Sequence, residues 1–266
     1  MKIAKWLANA TELLKSADIP TARLDCLVLL EDVLQKNRAY LLAHDEAELS
    51  AIQLSKLNAF VTQRRRHIPL AYIRQRTEFF GRTFTITPAV LEPRPESETI
   101  IELLLQESVV STVIDVGCGS GALGITAKLA LPRASVNAID IDPACLEVTR
   151  QNAAQLKADI TILQNNLLTG IKPKIIDNAH IIANLPYVPN DYTLNEAAMY
   201  EPALAIFGGP DGLDLYRTLF AQLQGTQPAA ILCESLPMQH QALAAIALQH
   251  GFTLRATHDF IQYFSA

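Results

Sequence analysis

The chain has 266 residues, 50% hydrophobic and 18% charged, which suits a globular enzyme of one large or two smaller domains and excludes a disordered chain. A formal net charge of −5 argues against a protein that coats nucleic acid, so no direct nucleic-acid binding is expected. No apolar run approaches the roughly 20 residues that span a bilayer, so no membrane partner is expected either.

Four cysteines (Cys26, Cys118, Cys145 and Cys233) form no C-x-x-C pair, and six histidines fall into no metal-binding spacing. The thiols read as reduced, the compartment as cytoplasmic, and no metal site is expected. Lys2, Lys5, Glu12 and Lys15 stand among apolar residues at helical spacing, which is not the pattern of a signal peptide.

Residues 2–17 place Ile3, Trp6, Leu7, Ala10, Leu13, Leu14 and Ala17 on one helical face. Pro20 opens a second helix carrying Leu24, Leu27, Val28, Leu30, Val33 and Leu34. A short segment follows near Tyr40–Ala43. A longer helix is expected from about Glu46 to Arg66, with Leu49, Ile52, Leu57, Phe60 and Val61 inward. Residues 1–70 thus read as a small all-α bundle, with substrate docking and a stabilising cap both open as roles. Arg64-Arg65-Arg66 reads as its solvated helix end.

Residues 71–92 are expected to form a linker built on a hairpin, because the period changes to alternation over 78–92, around Gly81. The hairpin is expected to bridge two domains. In Pro93-Arg94-Pro95-Glu96-Ser97-Glu98, the acids suit a helix first turn, and Arg94 reads as a structural ion pair. From Ser111 onward, strands and helices alternate, with strands expected at 112–116, 134–140, 160–163, 178–184 and 229–233. Two further strands are expected near the end of the chain. Residues 93–266 therefore predict an α/β domain with a doubly wound parallel sheet. The polar stretch from Val188 to about Gly212 reads as a lid or insertion.

Two stretches carry chemistry. The first is Asp115-Val116-Gly117-Cys118-Gly119-Ser120-Gly121, running from a strand into a helix. Residues 119–124 satisfy G-x-G-x-x-G, with Asp140 about 20 residues on, which makes a case for NAD. Asp115, two residues before the first glycine, fits instead a ligand bearing an ammonium group. S-adenosylmethionine has one, with a ribose for Asp140 and an adenine edge for Asn165-Asn166. The second stretch is Asn184-Leu185-Pro186-Tyr187, a rigid turn after a buried strand. None of its groups is a good acid or base near neutral pH. They suit a planar NH2-bearing group.

With these residues in view, the chain resembles the HemK/PrmC family over nearly its whole length. The shared pieces are Pro69-Leu70-Ala71-Tyr72-Ile73, Glu78-Phe79-Phe80-Gly81, Pro93-Arg94-Pro95-Glu96-Ser97-Glu98, the glycine turn, Asn184-Leu185-Pro186-Tyr187-Val188, Tyr200-Glu201-Pro202-Ala203-Leu204 and Gly208-Gly209-Pro210-Asp211-Gly212-Leu213.

The resemblance implies a class I S-adenosylmethionine-dependent methyltransferase domain, Rossmann-like, behind the small all-α domain. It implies methyl transfer to the glutamine amide nitrogen of the Gly-Gly-Gln motif in class I peptide chain release factors. The implied catalytic residues are Asn184, Leu185, Pro186 and Tyr187. The implied cofactor contacts are Asp115, Gly117, Cys118, Gly119, Ser120, Gly121, Asp140, Asn166, Leu167 and Asn184.

The chain departs from the family at Leu185, where a proline is usual, and at Asn166, where Asp is usual. It also departs after Glu234, where a usual glycine is missing, and after Asp259, where a Gly…Arg segment is missing. Leucine is tolerated if the contact is a main-chain carbonyl, and Asn166 predicts weaker cofactor binding.

In the expected mechanism, Asn184 Oδ1 and the Leu185 carbonyl accept the two N–H bonds of the substrate amide, and Tyr187 packs on the amide plane. An adenine N6 methyltransferase, an NAD-dependent oxidoreductase and a non-catalytic translation protein remain the competing readings.

Overall fold

The computed structural model describes residues 1–194 and 196–266, and the chain divides into two compact units. The first comprises residues 1–75 with residues 196–200. The second comprises residues 76–194 and 201–266. Among the described residues, no helix is long and apolar enough to cross a membrane.

The first unit is a helical bundle: α1 (Ile3–Lys15), α2 (Ala22–Leu34), α3 (Arg38–Ala43), α4 (Ala51–Arg64) and α5 (Leu70–Arg74). Its core gathers Ile3, Trp6, Leu14, Cys26, Leu29, Leu30, Leu41, Leu57 and Val61. The longest helix starts later than its apolar pattern suggests. Ser50 and Gln53 close a capping box, so residues 46–49 stay outside, and Ile52 faces solvent at 82% exposure.

Arg64 corrects a second expectation. It is not a solvated helix end: its Nε donates to Asp25 Oδ2 at 2.7 Å, and both side chains are nearly buried. Glu196 joins this unit, with its Oε2 2.8 Å from His67 Nε2.

The second unit opens with a hairpin, β1 (Arg76–Phe79) and β2 (Arg82–Thr85). Its two-residue turn, Phe80–Gly81, has positive φ at both positions, as the twist of a tight hairpin requires. The strands end earlier than the alternation to Glu92 implied. Asn152 holds the outer strand: its Oδ1 accepts from Thr85 N at 2.7 Å, and its Nδ2 donates to the Thr85 and Ser120 carbonyls. Glu98 does not act as a helix cap. Its Oε1 accepts from Phe80 N at 2.6 Å, which ties the hairpin turn to the start of α6 (Glu98–Gln106).

The main sheet follows, with β3 (Thr112–Val116), α7 (Ala122–Ala130), β4 (Ser135–Asp140), α8 (Pro143–Leu156), β5 (Thr161–Gln164), α9 (Pro173–Ile176), β6 (His180–Ala183), α10 (Asp214–Leu223), β7 (Ala230–Glu234), α11 (His240–Gln249), β8 (Thr253–His258) and β9 (Ile261–Ser265). The strand order is β5-β4-β3-β6-β7-β9-β8. Five strands are parallel and β9 and β8 add antiparallel. All residues of β6 and β7 are buried, which is why these strands read as continuous apolar runs.

The order reverses between β3 and β6, because β4 and β5 extend one way and β6 and β7 the other. Such a switch point leaves a crevice at the C-terminal ends of the strands, where open α/β sheets bind ligands.

Asn152→Ala should remove three hydrogen bonds and orphan the Thr85 amide. Chemical denaturation of the variant should show a loss of about 3 kcal/mol. A loss below about 0.5 kcal/mol would show that the hairpin is held by packing alone.

Candidate active site

The crevice holds a cavity of about 350 Å³ within the second unit. Its walls come largely from the ends of four strands. The β3–α7 turn supplies Gly117, Cys118, Gly119 and Ser120; the β4 tip supplies Asp140; the turn after β6 supplies Asn184, Leu185 and Pro186. Asn165, Asn166 and Leu167 line it beyond β5, and Ser97 and Phe79 approach from the preceding segment. Most of the residues expected at the site are therefore brought together.

The glycine turn folds around backbone donors and buried acids. Gly117 N and Cys118 N both donate to Ile139 O. Asp140 Oδ2 accepts from Gly119 N at 2.9 Å and its Oδ1 from Asp142 N at 3.0 Å. Burial raises the Asp140 carboxyl, with these donations opposing it. Gly117 has φ +73, and a Cβ there would sit 2.8 Å from Leu185 Cδ2. The glycine thus lets the two functional turns touch.

Asp115 lies behind this turn, 1% exposed, and does not line the cavity. Its Oδ2 accepts from Gly124 N at 2.8 Å, while its Oδ1 is buried with no partner among the described residues. Burial pushes the carboxyl up to about 7. An orphaned buried oxygen at this place fits a cationic ligand group nearby. Gly121 also stays off the cavity wall and caps α7 with φ +78.

The turn after β6 is held in place from several directions. Gln239 Nε2 donates to the Tyr187 and Asp211 carbonyls, both at 2.7 Å. Val188 N donates to Ile206 O and Gly208 N to Val188 O, each at 3.0 Å. Gly212, at φ +80, passes so close that a Cβ would lie 2.0 Å from Tyr187 O. The segment expected as a lid is thus, over 201–212, a hydrogen-bonded brace for the turn. Asn195, inside that stretch, lies outside the described residues. Arg94 Nη2 pairs with the buried Glu201 Oε2 at 2.5 Å, the ion pair expected for this arginine.

The β6 strand ends at Ala183, so Asn184 belongs to the turn and not to the strand. Its Nδ2 donates to Ser97 Oγ at 2.9 Å. Ser97 Oγ donates to Glu234 Oε2 at 2.5 Å. Glu234 Oε1 accepts from Tyr187 OH at 3.1 Å. Tyr187 therefore does not reach the cavity wall: its ring packs on the main core and its hydroxyl is held by Glu234. Burial raises the Glu234 carboxyl, and donation from Ser97 and Tyr187 opposes this. Among the described residues, no donor reaches Asn184 Oδ1 or the Leu185 carbonyl.

Sequence reasoning named Ser97 only within a helix-start segment and Glu234 only as a family acid. Their meeting spans 137 residues of chain, and no local pattern signals it.

A mostly parallel sheet, a glycine turn after its first strand, an acid at the tip of the next and an Asn-x-Pro-Tyr turn at the switch point define a methyltransferase that uses S-adenosylmethionine. Residues 5–74 match the PrmC N-terminal domain and residues 95–200 the methyltransferase small domain. A release factor glutamine methyltransferase from Koribacter versatilis is 36% identical over 230 residues, 84% of this chain and 81% of that protein. Another from Moorella thermoacetica is 36% identical over 262 residues, 94% and 91% of the two chains. The chain belongs to this release factor glutamine methyltransferase family. In fold it is similar to the hMettl16 catalytic domain solved in complex with MAT2A 3'UTR hairpin 1, with a TM-score of 0.54, 12% identity and coverage of 90% of this chain and 89% of that one.

Because folding raises the Asp115 pKa, the folded state favours its neutral form. Stability is therefore highest below the ordinary carboxylate range and falls as pH rises through about 7. Between pH 5 and pH 8, the protein without cofactor should lose stability relative to Asp115→Asn by about 2–3 kcal/mol, read by urea denaturation. Parallel curves for the two proteins would contradict this.

Proposed function

We propose that this chain transfers a methyl group from S-adenosylmethionine to the side-chain amide nitrogen of the glutamine in the Gly-Gly-Gln motif of class I peptide chain release factors. The reading rests on the polarity of Asn184. Its NH2 is engaged by Ser97, which leaves Oδ1 as the amide atom free to accept from a ligand. Beside it, the Leu185 carbonyl is a second acceptor, with no donor among the described residues. Two neighbouring acceptors match the two N–H bonds of a primary amide.

An amide nitrogen is a weak nucleophile because its lone pair is delocalised. When bound, S-adenosylmethionine supplies an electrophilic methyl group and a neutral thioether leaving group. The protein's task is then to orient the nitrogen and to stabilise the positive charge that develops on it. Asn184 Oδ1 and the Leu185 carbonyl do both, since each presents negative partial charge to an N–H. Leucine at 185 is consistent with this, because its carbonyl is used and its side chain is buried against Gly117. Transfer would exchange the donor's sulfonium C–S bond for the new N–C bond, with the surplus amide proton going to solvent.

For the cofactor, we assign Asp140, at the cavity wall, to the ribose hydroxyls and Asn166 and Leu167 to the adenine. The Gly117–Ser120 backbone and the buried Asp115 Oδ1, which has no partner among the described residues, suit the amino acid end. The helical unit is the natural candidate for docking the protein substrate, and the reaction is assigned to the cytoplasm.

Incubation with S-adenosylmethionine and a purified release factor, followed by peptide mass spectrometry, should place one methyl group on that glutamine. Asn184→Ala should retain cofactor affinity and lose roughly 10²- to 10³-fold in kcat. Transfer at the native rate by Asn184→Ala would overturn the mechanism.

A further inference from the structure

The chain of hydrogen bonds behind Asn184 has a fixed direction. Glu234 is 1% exposed at the end of β7, and its carboxylate takes Ser97 Oγ–H on one oxygen and Tyr187 O–H on the other. An ionised carboxylate can only accept. Ser97 has a single hydroxyl proton, so once it is given to Glu234 the Ser97 oxygen can only accept as well. The Asn184 group facing it at 2.9 Å must then be NH2. The two ends of this array are also fixed relative to each other. Leu185 N donates to Tyr216 OH at 3.3 Å, and Tyr216 OH donates to the Glu234 carbonyl.

We propose that Glu234 and Ser97 are positioning residues that set the orientation of the Asn184 amide, so that its oxygen rather than its nitrogen meets the substrate. The inference rests on the amide-methylation reading of the site.

The two faces of an asparagine amide have nearly the same shape, so packing alone discriminates between them weakly. Only the hydrogen-bond pattern does so. A flipped Asn184 would offer N–H to the substrate's N–H, with no hydrogen bond and the wrong sign of charge at the reacting nitrogen. A buried carboxylate is costly to maintain, and an apolar side chain would fill the same space without that cost. Its placement directly behind two cavity-lining residues, Ser97 and Asn184, gives it a purpose that a purely structural acid lacks.

The test is a double-mutant cycle on methylation of a release factor, with kcat, KM, cofactor affinity by calorimetry and thermal midpoint measured for every protein. Ser97→Ala should lower kcat roughly 10- to 100-fold, with cofactor affinity unchanged within about twofold. Ser97→Thr, which keeps the hydroxyl, should recover most of the loss. Glu234→Gln can donate to Ser97 and reverse the array, so it should lower kcat to a similar extent while the protein stays folded. In an Asn184→Ala background, Ser97→Ala should have almost no further effect, because no amide is left to orient.

A native kcat for Ser97→Ala, or equal losses in both backgrounds, would overturn the inference and leave the amide reading standing. Absence of glutamine methylation by the unmodified protein would instead overturn the amide reading, and this inference with it.

Discussion

An amide side chain can serve a substrate with its oxygen only if its nitrogen is satisfied elsewhere. At Asn184 that condition is met by one hydrogen bond, from Nδ2 to Ser97 Oγ. Much of the second unit bears on that bond. The short segment before α6 delivers Ser97, the end of β7 delivers Glu234, and the turn after β6 delivers Asn184 itself. The switch in strand order places β6 between β3 and β7, so the glycine turn and the buried acid flank the same residue.

The bracing of this turn is correspondingly dense. Residues 206–212 hydrogen-bond to Val188 and Asn190, Gln239 clamps the Tyr187 carbonyl, and Tyr216 takes the Leu185 amide. Positioning of this kind matters because small displacements of a reacting group cost large factors in rate. The turn presents acceptors whose direction is set before substrate arrives, and no strong acid or base is needed for the chemistry proposed.

The sequence exposes those parts of the fold that local rules dictate. Alternating strand and helix patterns revealed the sheet, because buried parallel strands such as Ile181-Ile182-Ala183 are apolar throughout. The glycine turn and Asn184-Leu185-Pro186-Tyr187 were visible because backbone geometry restricts which residues fit there. Misjudged residues were those whose roles depend on distant partners. Arg64 read as solvated, yet it pairs with Asp25, 39 residues earlier. Glu98 does stand in a helix first turn, but its bond to the Phe80 amide had no local sign. Ile52 read as core, although the capping box at Ser50 sets the helix so that it faces out. For Tyr187, nothing local signalled that its hydroxyl meets Glu234. The pairing of Ser97 with Glu234 had no local signal, because a single hydroxyl or carboxyl shows its function only through what it faces.

The central claim concerns where one amide points, and an atomic-resolution crystal structure with a Gly-Gly-Gln peptide and the demethylated cofactor product tests it most directly. The account predicts the peptide glutamine nitrogen within hydrogen-bond distance of both Asn184 Oδ1 and the Leu185 carbonyl, with Asn184 Nδ2 still on Ser97. A glutamine amide held by other groups, or an Asn184 whose nitrogen faces the peptide, would contradict it.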